Sequence, residues 1–386
     1  MNGLTRVLTA LCLITLVAAA VFLFGGAYFL MTPASSSSEE VVFEVKPSEP
    51  FKAVARRLEK EGLIKSAWAL EIYARLTGAS RNIRVGEYAV RKDLRPKEVL
   101  AILSSGKSVH YAITVTEGLN RFEIADIVER QKIASRDEFL KLTSDRGLVK
   151  ELLGEEHESF EGYLFPETYY ITKYTSARDL IRIMVERFKE NFARVQKVNG
   201  WSLGDFTVHQ LVTLASIIEK ETGAPEERPY IASVFHNRLR KNMLLQTDPT
   251  IIYGIWRDKG SWNGALSRAD LRYPSKYNTY LNKGLPPGPI ANPGFEALKA
   301  AGAPAQSDYL FFVSRNDGTH VFSRDYQQHK RAVEEFQLNR RAREGKSWRD
   351  LSKRQAVPEG VVEAPPARKF EKTSATKSSK KKKKSN

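Results

Sequence analysis

The sequence predicts an α+β fold behind an N-terminal transmembrane helix, on three observations. Val7 to Met31 is an apolar run of about 25 residues without a charged side chain, long enough to cross a bilayer as a helix. One stretch then reads strand, helix, helix, strand, and a related strand and helices follow it, either as an internal repeat or by chance similarity of amphipathic helices. After them come long amphipathic helices and one clear hairpin.

Taken in order, residues 1–6 form a short cytoplasmic N-terminus, 7–31 the membrane helix and 32–40 a serine-rich linker. The apolar core is long and no small-x-small cleavage site follows it, so a retained anchor is favoured over a cleaved signal peptide. Arg6 precedes the run and Glu39 and Glu40 follow it, a bias that leaves the bulk of the chain outside the cytoplasm. Nucleotides and nicotinamide cofactors are scarce there.

Residues 41–106 form the first folded unit. Val41 to Val45 alternates as a strand, and Ser48-Glu-Pro-Phe51 should cap a helix whose buried face is Phe51, Val54, Ala55 and Leu58. Ser66 to Leu76 reads as a second helix, Gly86 to Val90 as the return strand and Pro96 to Leu103 as a third helix. The pattern resembles a LysM-like glycan-binding module. A related pattern recurs: Ala112 to Thr116 is a strand, Asn120-Arg-Phe-Glu123 has capping-box spacing, and Ser135-Arg-Asp-Glu138 opens another helix. Phe122, Ala125 and Val128 mirror Phe51, Val54 and Arg57, with Arg57 breaking the apolar match.

Glu161 to Tyr169 (EGYLFPETY) gathers aromatics, turn formers and carboxylates. Such residues suit the apolar faces and hydroxyl edges of sugar rings, and core packing at a junction accounts for them equally. Arg178 to Gln196 is a long amphipathic helix.

In His209 to Thr222 (HQLVTLASIIEKET), a helix beginning at Val208 puts Leu211, Val212, Ala215 and Glu219 on one stripe. A carboxyl on an apolar stripe loses hydration, which raises its pKa and prepares a general acid. A solvated, frayed helix end at Gly223 is the other reading of Glu219. Arg228 to Lys241 continues as a helix, Gln246-Thr-Asp-Pro249 breaks it, and Asp248 before proline is free to cap or to face a cleft. Tyr273 to Gly294 is a long proline- and glycine-stiffened loop, either a groove wall or a rigid connection. Asn316-Asp-Gly318 joins the strands Tyr309 to Ser314 and Thr319 to Ser323, and Asp325 to Phe336 closes the domain as a helix. Residues 107–338 thus form a second, larger α+β domain, and 339–386 a disordered tail ending in Lys380 to Lys384.

Charge location excludes a nucleic-acid partner. From Arg340 onward there are 16 Lys/Arg against 5 Asp/Glu, so the tail carries +11 of the +16 and the rest of the chain only +5. The single cysteine, Cys12, and six histidines without zinc-binding spacing argue against a metal site. No GxSxG, P-loop or GxGxxG appears, and no cofactor is expected. Carboxylate chemistry remains. Glycosidases use two carboxylates, and Asp248, Glu167 and Glu221 are candidates that cannot be paired with Glu219 from spacing. A sugar that supplies its own nucleophile needs only one.

Several ungapped segments carry a resemblance: Leu214-Ala-Ser-Ile-Ile-Glu-Lys-Glu-Thr222, Ala232 to Leu239 (ASVFHNRL), Leu245 to Thr250 (LQTDPT) with Ile252-Tyr-Gly254, Leu266 to Leu271, Tyr277-Asn-Thr-Tyr280 and Gly284-Leu-Pro-Pro-Gly288. In unbroken order over about Val41 to Phe336, they resemble the endolytic murein transglycosylases, the YceG-like family. Glu161 to Tyr169 resembles that family's EGYLFPDTY, with Glu167 for aspartate, and Val115-Thr-Glu-Gly-Leu119 its VPEGLT, with threonine for proline. The resemblance implies a lytic transglycosylase that cleaves peptidoglycan glycan strands internally between N-acetylmuramic acid and N-acetylglucosamine, leaving 1,6-anhydro ends. It implies a single-pass inner (cytoplasmic) membrane protein with periplasmic LysM-like and catalytic domains, and peptidoglycan synthases as partners. The catalytic glutamate would be Glu219, and Gln246, Asp248, Tyr253, Asn278 and Tyr280 would line the substrate groove. Two rival classes are a non-catalytic scaffold that holds glycan for synthases and a cytosolic pyridoxal-phosphate lyase, the second opposed by an exported chain without a lysine on an apolar stripe near the motifs.

Overall fold

A computed structural model of the chain describes residues 3–221, 224–262 and 264–339. The apolar N-terminal stretch is helical within α1 (Gly3–Met31). Among the described residues no helix is long and apolar enough to cross a membrane, and several side chains of α1 lie outside the described ones. The tail expected to be disordered lies outside the described residues from Arg340 on.

The first unit comprises β1 (Glu40–Val45), α2 (Phe51–Lys60), α3 (Ala67–Leu76), β2 (Gly86–Arg91) and α4 (Pro96–Ser105). β1 and β2 pair antiparallel with Phe43 opposite Tyr88, and the helices close over that pair around Val54, Leu58, Leu70 and Leu103. Ser66, expected to begin the second helix, instead caps α3 from just outside it, accepting from Ala69 N. Ser48 does not cap α2: it takes a left-handed φ of 57°, and Pro50, which has no side-chain acceptor, occupies the cap position. Arg57 holds its place on the core face by lying 4.8 Å over the Phe43 ring, with Glu49 pairing its guanidinium.

The second unit has the same order with one helix more: β3 (Tyr111–Thr114), α5 (Arg121–Arg130), α6 (Arg136–Thr143), α7 (Arg146–Leu153) and β4 (Thr168–Ile171), with α8 (Ala177–Val195) packed over it. Again the first and last strands pair antiparallel, Ile113 opposite Tyr169. The capping box at Asn120 and Glu123 forms, and Ser135 caps α6. The aromatics of EGYLFPETY resolve to core: Tyr163, Phe165 and Tyr169 are buried, and Tyr170, the residue after the motif, is exposed. Lys173 clamps the two units together, its Nζ 2.8 Å from Glu44 and 3.2 Å from Glu87.

The third part is built on α9 (Val208–Glu221), surrounded by α10 (Arg228–Arg240), α11 (Asp248–Lys259) and α12 (Phe295–Gly302). Every residue from Leu211 to Ile218 is buried, so the expected stripe is a completely enclosed helix instead. Its two polar members spend their hydroxyls inside, Thr213 donating to the His209 carbonyl and Ser216 to the Thr213 carbonyl. Emptying any one aliphatic site of this kind costs about 2–5 kcal/mol. The hairpin forms as β5 (Phe311–Ser314) and β6 (His320–Ser323), with Asn316 and Gly318 left-handed in its turn, and α13 (Tyr326–Val333) follows under an Asp325 cap. Asp248 begins α11 with Pro249 in its first turn, so the break expected at Gln246 to Pro249 is a helix start.

The loop from Tyr273 to Gly294 is strapped onto α9. Ile290 N donates to Ser216 Oγ at 3.0 Å, and His209 Nε2 lies 3.1 Å from the Pro287 carbonyl. Gly162 is pressed beneath it. Its φ is +86°, and a Cβ there would lie 2.5 Å from Pro289 and 2.9 Å from Val212. A left-handed backbone and a rigid proline leave no route to relax, so Gly162→Ala should lower stability by about 2–4 kcal/mol, read as a fall in unfolding free energy or Tm. A wild-type Tm would show that the strap is not tight.

Candidate functional site

The last turn of α9 is where the enclosed helix reaches solvent. Glu219 projects there into an open cleft of about 640 Å³, lined also by Val115, Glu117, Gly118, Glu167, Lys220 and Arg228. The Glu219 side chain is only 5% exposed, yet its surroundings are not apolar. Arg228 Nη2 donates to Oε1 at 3.1 Å, and the Gly294 amide donates to Oε2 at 2.9 Å. Burial was expected from the helical stripe, and burial is found. The unopposed loss of hydration was not: both oxygens meet donors.

Each partner is positioned by a different element. Arg228 opens α10 and is 8% exposed at its side chain; Glu117 Oε2 lies 3.8 Å from the same Nη2. Glu117 and Gly118 come from the turn after β3. Gly118 is left-handed at φ +78°, its carbonyl accepts from Lys220 Nζ at 3.0 Å, and its amide donates to the Asn292 carbonyl. Burial, and then the charge of Glu219, hold the Glu117 carboxyl above the usual carboxylate range. Glu167 lies across the cleft, paired with Arg187 at 2.5 Å.

Behind the cleft sits a buried polar hub. Asn292 Nδ2 donates to the Leu119 carbonyl and to Glu161 Oε1, and its Oδ1 accepts from Leu164 N. Glu161 also accepts from the Arg121 amide. The hub ties the turn carrying Glu117 to the loop carrying Gly294. Burial pushes the Glu161 carboxyl up to about 7, against the lowering influence of Arg121. Glu221, two residues past Glu219, turns to the other side of α9, where the Thr247 hydroxyl donates to it. Burial is again the main cause of its rise to about 7, with Asp248 reinforcing it.

The predicted groove residues divide. Asp248 and Tyr280 are joined, the tyrosine hydroxyl donating at 2.7 Å, and Gln246 is exposed beside them with its amide on the Thr279 carbonyl. Tyr253 and Asn278 are not on a wall. Tyr253 is 4% exposed and packed at a tilt against the Phe122 and Tyr277 rings, while Asn278 is fully buried with its side-chain amide on the Leu271 and Tyr273 carbonyls. None of the five lines the cleft at Glu219. Among the described residues no three His, Cys, Asp or Glu side chains converge as a metal site needs.

Glu117, Arg228 and Gly294 were not singled out by pattern. One signal for Arg228 was available: a cation in the first turn of a helix opposes the macrodipole and calls for a compensating anion. Glu117 and Gly294 come from loops, where no periodicity marks what a side chain will face.

Comparisons with known proteins point to one family. A family model described as the YceG-like family matches residues 43–335. An endolytic murein transglycosylase of Bacillus subtilis is 33% identical over 337 residues, covering 81% of this chain and 91% of that protein. A Streptococcus pneumoniae protein of the same name is 27% identical over 348 residues, 81% of this chain and 62% of its own length. The crystal structure of a putative yceG-like protein from Listeria monocytogenes superposes with a TM-score of 0.53 at 30% identity, covering 76% of this chain and 99% of that one.

The two carboxyls with raised values make stability pH-dependent in a known direction. A folded-state pKa above the unfolded one favours the protonated native form, so its contribution is complete below about 4.5 and lost as pH rises through about 7. Thermal unfolding followed from pH 5 to pH 8 should therefore show a falling Tm, with a shallower slope in Glu161→Gln or Glu221→Gln. An unchanged slope in both variants would place the two carboxyls in water.

Proposed function

The chain belongs to the YceG-like family, and on that premise we propose that it is an endolytic murein transglycosylase in which Glu219 transfers the protons. The bond cut is the β-1,4 link from N-acetylmuramic acid to N-acetylglucosamine within a glycan strand. Glu219, as the acid, protonates the departing oxygen as its bond to the muramic C1 breaks. The 6-hydroxyl of the same muramic residue bonds to that carbon and returns its proton to Glu219. No water is consumed, and a 1,6-anhydro end results.

The observation that carries this reading is the position of Glu219, the only residue of α9 that faces the cleft with a carboxyl while being held on both oxygens. Fixed orientation is what a proton-transfer group needs, since the acid must stay aimed at one oxygen through bond cleavage. Lys220, exposed on the same cleft, offers a donor to the hydroxyl and carbonyl oxygens of a glycan strand.

The finer features of the reading follow from the chain's order. The strand-helix-helix-strand unit of residues 41–106 serves as a LysM-like glycan-holding module beside the catalytic part. The uncharged apolar run Val7 to Met31, about 25 residues and roughly 37 Å as a helix against a hydrocarbon core of about 30 Å, supports a single anchor in the inner (cytoplasmic) membrane. The catalytic part is then periplasmic, where nascent strands leave the peptidoglycan synthases that would be its partners.

The test is a digest of purified glycan strands by the full chain in detergent, with Glu219→Gln alongside and products separated by mass. New ends lighter by one water, and a loss of at least about 1,000-fold in rate in the variant, are expected for removal of the proton-transfer group. Reducing ends would mean hydrolysis and a second essential carboxylate. No cleavage by either protein would favour the glycan-holding scaffold.

A further inference from the structure

Arg228 poses a problem for any acid at Glu219. Its side chain is 8% exposed, and its Nε has no hydrogen-bond partner among the described residues. A guanidinium so enclosed depends on a carboxylate beside it, because a buried unpaired charge is strongly destabilising. Glu219 supplies that charge at 3.1 Å. A general acid must carry a proton, however, and a neutral Glu219 would leave Arg228 uncompensated.

Glu117 resolves the conflict geometrically. Its Oε2 lies 3.8 Å from the same Nη2 that holds Glu219, so the two carboxyls are no more than about 7 Å apart. A shift of roughly 1 Å brings the guanidinium into charge-assisted contact with Glu117. The Glu117 carboxyl packs directly over Gly294, where a Cβ would fall 1.8 Å from Oε1. The amide of that glycine holds Glu219 at 2.9 Å. The other charged groups facing the pair are accounted for: Lys220 on α9 donates to the Gly118 carbonyl, Glu167 pairs with Arg187, and Glu296 on α12 adds a more distant negative charge.

We propose that Glu117 is the alternate counter-ion of Arg228, a positioning residue that lets Glu219 take up and release a proton without leaving the guanidinium unpaired. The pair holds one proton in the working state. With the proton on Glu219, the charge of Arg228 is met by Glu117; with the proton on Glu117, by Glu219. Half-exposed and poised above the usual carboxylate range, Glu117 exchanges its own proton with solvent readily. This assignment rests on the reading of Glu219 as the proton-transfer residue.

The test is the pH–rate profile for anhydro-end formation by the full chain, measured for wild type, Glu117→Gln, Glu117→Asp and Glu219→Gln. Neutralising Glu117 leaves Arg228 dependent on a charged Glu219, so the acid form persists only at lower pH. In Glu117→Gln the alkaline limb should move down by about one pH unit or more, cutting the rate near neutrality about 10-fold and recovering it in acid. Glu117→Asp should keep the wild-type limb. A limb that does not move, or a loss equal at every pH, would overturn the proposal and leave Glu117 a structural residue. Should Glu117→Gln fold poorly, Glu117→Ser takes its place, with the same downward move of the alkaline limb expected. A wild-type limb in a folded Glu117→Ser protein would sink the counter-ion role. Cleavage at the wild-type rate by Glu219→Gln would instead remove the premise, an outcome distinct from a Glu117→Gln profile that matches wild type.

Discussion

The enclosure of α9 is the constraint on which the rest of the third domain depends. A helix buried on every side from Leu211 to Ile218 must be covered from every side, and α10, α11, α12 and the Tyr273 to Gly294 loop supply that cover. Its C-terminal turn cannot be covered in the same way. The last carbonyls of a helix carry partial negative charge and need donors or water. The chain solves this by letting the helix surface at Glu219, so the opening that the helix end requires is also where a substrate can reach a carboxyl.

Around that opening, precision comes from backbone as much as from side chains. Gly294 and Gly118 contribute amides and carbonyls from two distant loops, and Asn292 binds both loops to Glu161 in one buried hub. Its amide and carbonyl are matched to two separate chain segments, at Leu119 and at Glu161 to Leu164, so a shift in either strains the other. The two units of strand, helix, helix and strand reach the site differently. The second lends Glu117 directly, from the turn that follows β3. The first is joined through polar contacts such as Lys173 between Glu44 and Glu87, which carry less apolar burial than a shared core would.

Much of this was legible beforehand where periodicity speaks. β1, β2, α3, α5, α8 and the hairpin fall within a residue or two of their patterns, and Asn120 and Ser135 cap the helices that their spacing announced. The inward direction of Glu219 was readable for the same reason, since a helix fixes which residues share a face. Failures came where side-chain direction is set by tertiary contacts. Tyr253 and Asn278 stand in motif strings beside exposed neighbours, and nothing local distinguishes a wall from an interior. Ser48 looked like a cap because the residue type suits one, but Pro50 already begins the turn. Arg228 and Glu117 lie 111 residues apart in sequence and become partners only through the fold.

The two carboxyls at the end of α9 show why burial alone does not define an acid. Glu221 loses water and gains a single neutral donor, the Thr247 hydroxyl, so its protonated form prevails toward neutrality. It is prepared in the manner expected of an acid, but it faces away from the cleft. Glu219 faces the cleft and is gripped by a cation and an amide, both of which attract its charged form. Accuracy of aim and readiness to hold a proton thus pull in opposite directions, because the donors that orient a carboxyl also stabilise its anion. A second carboxyl on the same guanidinium reconciles them. It shares the orienting charge, so that holding Glu219 in place does not require Glu219 to stay ionised.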